Sequence, residues 1–115
     1  MSATEALTQK ALKTVEVIDN NARVIGLKKP STLAQFRLVE ILGPLAENRV
    51  YMNMVLPLVF VTSIEGDPVS MPSTKLQIDA LIQRLDDAGV EAVMKGVVEH
   101  FGSVDPDADK AAVKN

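Results

Sequence analysis

One histidine, no cysteine and fifteen carboxylates are the groups from which any catalytic or metal chemistry in this sequence would be built. The lack of cysteine removes thiolate metal ligands, a thiol nucleophile and any disulfide framework. His100 closes the amphipathic run "VEAVMKGVVEHFG". A zinc site or a nucleophile–base pair needs further convergent partners. His100 is therefore read as a solvated residue at a helix end, where a protonated imidazole suits the helix dipole. Asp86–Asp87, and Asp105, Asp107 and Asp109 in "DPDADK", place carboxylates close together. The second set alternates as calcium-loop ligands do. The glycine, the closing Glu and the second helix of an EF-hand are missing, so a solvated tail is the preferred reading. "EGDP" is no phosphate cradle: there is no GxGxxG and no Walker loop. Ser63, Ser70 and Ser73 have no base nearby in sequence. The expectation is a protein that is not an enzyme, with no metal and no cofactor.

Binding is what remains. The net charge is −3 and unevenly spread: residues 1–57 carry seven Lys/Arg against five Asp/Glu, and residues 58–115 carry five against ten. No basic cluster is interleaved with aromatics, which make up only 3% of the chain, so nucleic acid is not the expected partner. The most apolar stretch, "MVLPLVFV" (54–61), is far short of the roughly 20 apolar residues that a bilayer requires. Asn53 interrupts the run that leads into it, and Glu65 and Asp67 close it, so no membrane span is expected. The start, "MSATEALTQK", lacks the basic and apolar regions of a secretory signal.

In "YMNMVLP", Met52 and Met54 are flexible and polarisable enough to serve an adaptable binding surface. The competing and preferred reading is that they fill an irregular core around Pro57. The stripe Val90, Val93, Met94, Val97, Val98 and Phe101 either completes the core or forms a dimer or partner surface. Tyr51, Met52, Met54, Val97, Val98 and Phe101 are the candidate partner-binding residues.

The elements that would position these residues form one domain of α+β class, mainly α. It is a short β-hairpin followed by about four packed helices. The flanks, 1–13 and 103–115, are read as a flexible segment and a disordered tail. "TVEV" alternates with period two, and "DNNA" supplies the turn of a hairpin over 14–27. Ser31 or Thr32 caps a helix over 32–42, with Leu33, Phe36, Val39 or Glu40, and Leu42 at helical spacing. Gly43 and Pro44 stop it. A helix over 45–64 is expected next, buried on most faces and kinked by Pro57, which removes a backbone donor. The β-branched "VFVT" also suits a strand, the less favoured alternative. "IEGDPVSMPS" is a loop. Thr74 and Gln77 form a capping box for a helix over 74–88, with Ile78, Leu81, Ile82 and Leu85 on one face. Gly89 is expected to end that helix and Gly102 to end a last one over 90–101. Gly96 is read as lying off the apolar stripe.

This order of segments resembles a known family. A hairpin ends in "IGLKKP"; then come "LAQFRLVEILGP", an apolar segment running into "SIEGDPVSMPST", and "QIDALIQRLDDAGVEAVMKGV". Together, over about residues 14 to 101, they are similar to the small tail assembly chaperones of tailed bacteriophages. The shared motifs are structural rather than catalytic. One departure is Glu65, where Asp often stands in that family; the turn chemistry is kept. The resemblance implies a host-cytoplasmic protein, absent from the finished virion, that binds the tape measure protein and keeps it soluble while the tail tube assembles around it. It also implies contact with the tail tube protein through a frameshifted, C-terminally extended form, which would start from "DPDADKAAVKN". Apart from the resemblance, the Val90–Phe101 stripe, read as a dimer surface, allows a homo-oligomer. The alternatives are a structural head–tail or tail-completion subunit, a small helical regulatory binding protein, and an enzyme whose site carries no recognisable motif.

Overall fold

The computed structural model describes residues 13–102. The expected flexible segment at 1–13, apart from Lys13, and the expected tail at 103–115 lie outside the described residues. The chain is a mixed α+β fold in which helices dominate. The expected hairpin forms from β1 (Thr14–Ile18) and β2 (Val24–Lys28), with Val15 opposite Leu27 and Val17 opposite Ile25. Asp19 shapes its turn: one carboxylate oxygen accepts from the backbone N–H groups of Asn21 (2.8 Å) and Arg23 (2.9 Å). Ala22 takes a positive φ of 63°.

Helix α1 (Thr32–Leu42) begins where its cap predicts: Ser31 Oγ accepts from the Ala34 N–H at 3.1 Å. Gly43 ends it with φ 56°, and a 3-10 turn (Gly43–Glu47) follows. The expected helix over 45–64 is corrected. Helix α2 covers only Arg49–Leu58, opened by Asn48, whose side chain accepts from the Tyr51 N–H at 3.1 Å. Pro57 lies in its last turn, and the helix ends at Leu58, where the Val59 and Phe60 N–H groups donate to the Leu56 and Pro57 carbonyls, instead of continuing through a kink. Beyond it, Val61–Ile64 is a strand, β3, paired antiparallel to β2 through Ile25–Ile64 and Leu27–Val61. The β-branched residues there gain a sheet partner, which a helix could not supply. β4 (Asp67–Pro68) pairs with β3 across a tight turn in which both Glu65 (φ 51°) and Gly66 (φ 82°) are left-handed. Part of the expected loop is therefore a hairpin. The sheet has the order β1-β2-β3-β4.

Helix α3 (Lys75–Phe101) opens on Thr74, whose hydroxyl accepts from the Gln77 N–H at 3.1 Å, while Gln77 Oε1 accepts from the Ser73 N–H at 2.7 Å. It breaks once, at Asp86 (φ 52°, ψ −166°). The break expected at Gly89 thus falls earlier, and Gly89 is a buried residue of the second half. A Cβ on Gly89 would lie 2.9 Å from that of Leu85, so the glycine permits close packing rather than ending a helix. Gly96, expected off the stripe, is also buried. A Cβ there would meet Val17 Cγ1 at 2.6 Å and Leu27 Cδ1 at 3.1 Å. It is the point where α3 approaches the first two strands.

Two apolar clusters hold these elements together. One lies between the sheet and α3 and includes Ile25, Leu27, Phe60, Ile64, Leu85, Val93 and Val97. The other joins α1, α2 and the first half of α3 through Leu38, Leu42, Val55, Val59 and Ile78. Ile82 packs against both. Among the described residues no helix is long and apolar enough to cross a membrane.

Candidate binding groove

The break in α3 is chemically complete. A break in a helix leaves the last carbonyls of its first half open to other donors. Arg23, reaching across from the hairpin, donates to the carbonyl oxygens of Arg84 (2.9 Å) and Leu85 (2.5 Å). Its Nε donates to Asp19 at 2.8 Å, and Nη2 donates to Asp86 at 3.1 Å. Asp86 in turn accepts from the Ala88 N–H at 3.2 Å and so caps the second half. Burial works to raise the Asp19 carboxyl pKa, but the backbone N–H bonds and the Arg23 guanidinium outweigh it and hold the group below its ordinary value. The bond to Asp19 raises Arg23, keeping it a cation.

Beside this fixed break lies an open groove of about 640 Å³ between α2 and α3. Met54 from α2, and Ile82, Val90 and Met94 from α3, supply its apolar wall. Met54 is 53% exposed although its neighbour Val55 is buried in the core. Asp86, Asp87, Glu91 and Lys95 line the same groove. Asp86 is engaged by Arg23. Asp87 and Glu91 are exposed and form no ion pair with a described residue.

The six candidate partner residues are dispersed. Of them, only Met54 lines the groove. Tyr51 and Met52 are half-buried against the second cluster, and the Tyr51 hydroxyl is buried without a hydrogen-bond partner among the described residues. Val97 is 0% exposed, in the core beneath the sheet, and is not available to a partner. Its neighbour Val98, one turn beyond Met94, is 57% exposed. Phe101 packs edge-to-face on Phe60 (centroids 5.2 Å apart), with Lys13 Nζ 5.1 Å from its ring centroid. Lys13 Nζ also donates to the His100 carbonyl at 2.6 Å, and His100 itself is exposed in the last turn of α3.

Sequence reasoning missed a second apolar surface. Leu33, Phe36 and Val39 project outward from α1, Phe36 being 66% exposed, while Leu38 and Leu42 of the same helix enter the core. The signal was present as apolar residues on two faces of one helix. No group of three or more potential metal ligands occurs among the described residues. The chain matches no protein-family model, no curated protein and no solved structure.

Proposed function

We propose that this chain is a tail assembly chaperone of a tailed bacteriophage. In this reading it binds the tape measure protein without catalysis and keeps it soluble in the host cytoplasm until the tail tube polymerises. The observation that carries the reading is the ordered set of segments from "IGLKKP" to "QIDALIQRLDDAGVEAVMKGV". The exposed apolar side chains support it. A long amphipathic helix aggregates unless its apolar face is covered, and a surface of Met, Leu and Val accepts such a face without demanding one exact side chain. Met54 with Met94, and the Leu33–Phe36–Val39 row, are surfaces of that kind.

A second reading, a structural head–tail or tail-completion subunit, is favoured by one observation. The sheet has four strands instead of the hairpin expected, and β1 and β4 are its outer strands. The short, proline-containing β4 is a blunted edge, but the five-residue β1 is an outer strand that can pair with a neighbouring copy and build a ring. Affinity purification of the tagged chain from phage-producing cells, read by mass spectrometry beside purified virions, separates the two. The chaperone reading expects the tape measure protein in the first sample and no trace of this chain in the second. Stoichiometric presence in virions overturns it in favour of the structural subunit.

A further inference from the structure

The groove between α2 and α3 is apolar in its wall and acidic at its edge, and no segment of the described chain fills it. Met54 stays more than half exposed there, opposite Ile82, Val90 and Met94. An apolar wall formed by two helices suits the apolar face of a third helix, which would offer side chains at i, i+3, i+4 and i+7. The edge selects among such helices. Among the described residues Asp87 and Glu91 form no ion pair, Asp86 is held in place by Arg23, and Lys95 is the one cation lining the groove. The net excess of carboxylates continues the acidic character of residues 58–115. Charges flanking an apolar contact steer the encounter and reject like-charged competitors.

We infer that this groove is a docking site for a basic amphipathic helix: one whose apolar stripe covers Met54 and Met94 and whose flanking Lys or Arg residues meet Asp87 and Glu91. The inference rests on the reading of the chain as a helix-binding protein and adds the charge of the helix and the place where it lies. Ion pairing at such an open edge gives selectivity and salt dependence, and apolar burial gives most of the affinity.

Two synthetic helices test it by fluorescence anisotropy against the full chain. Each has about 18 residues, enough to hold helicity, with Leu at the helical-stripe positions and either Lys or Glu at the others. The Lys peptide is expected to bind, more weakly as salt rises, and the Glu peptide is not. Asp87→Lys with Glu91→Lys should weaken the Lys peptide by about tenfold or more and admit the Glu peptide. Met54→Glu, at an exposed position, should abolish Glu-peptide binding in that background. Glu16→Lys with Glu40→Lys makes the same change in net charge at exposed positions on β1 and α1, and should leave the Lys peptide's affinity within about twofold. Equal weakening by the two double variants would mean that net charge alone draws the peptide, and would overturn the inference. So would unchanged binding by Asp87→Lys with Glu91→Lys. Co-expression with the tape measure protein keeps this test apart from the functional reading. If the wild-type chain and the groove variants hold that protein in solution equally well, the groove inference fails and the chaperone reading stands. If the peptides behave as expected but the wild-type chain does not hold it, the reverse is true.

Discussion

Arg23 performs three tasks with one side chain. It neutralises the buried Asp19, supplies donors to the last carbonyls of the first half of α3, and fixes the Asp86 carboxylate that caps the second half. Arg23→Met keeps much of the side-chain length but removes every donor. Orphaned carbonyls and a buried carboxylate then remain together, which is costlier than losing a surface ion pair. The melting temperature should fall by several degrees in a thermal scan. The pH dependence has a definite sign. The Asp19 pKa is lower in the folded chain than in the unfolded one, so its contribution is present above the ordinary carboxylate range and is lost as pH falls through the depressed value. In Arg23→Met that value moves up, and acid unfolding followed by circular dichroism should begin at a higher pH than in the wild type. Tyr51 is the opposite case. Its hydroxyl is buried without a partner among the described residues, so Tyr51→Phe should leave stability unchanged or raise it by about 1 kcal/mol in urea titration.

The 64–67 turn and the α3–sheet contact are each controlled by one backbone requirement. Glu65 occupies a left-handed position that Asn or Asp tolerates better, so Glu65→Asn should stabilise the β3–β4 turn by up to about 1 kcal/mol. At Gly96 the added methyl of an alanine would press on Val17, whose branched side chain has few alternative rotamers. Gly96→Ala should therefore cost about 1 kcal/mol or more in chemical unfolding, despite alanine's higher helix propensity. These contacts also mark where the sequence stopped being legible. Caps and turns are local, and Ser31, Gly43, Thr74 and the "DNNA" turn could be read directly. The β3 strand is hard to tell from the end of the preceding helix because its four residues continue an apolar run and are too few to show a period, and its partner β2 lies over thirty residues earlier. Gly96 looked like a helix weakness because its reason, Val17 and Leu27, is distant in sequence. The groove was half legible. Met54 and the Val90–Met94 stripe could be named, but the faces they present depend on how α2 meets α3. Val97 belongs to a stripe that the sequence offers as a surface, and a helical stripe does not reveal which of its edges is covered.

Among the described residues the fold presents an acidic apolar groove on α2–α3 and an apolar row on α1, on a chain whose C-terminal half carries the negative charge. Exposed apolar rows of this kind on a small domain are candidate interaction surfaces. In the chaperone reading the cover is the tape measure protein, with a second copy of the chain and the tail tube protein as further partners. The most direct measurement is the soluble fraction of the tape measure protein expressed from the same phage genome, with and without this chain, followed by size-exclusion chromatography. The tape measure protein should be insoluble alone and should co-elute with this chain when both are expressed. A tape measure protein that stays insoluble in the presence of this chain, or stays soluble and elutes without it, would contradict the assignment.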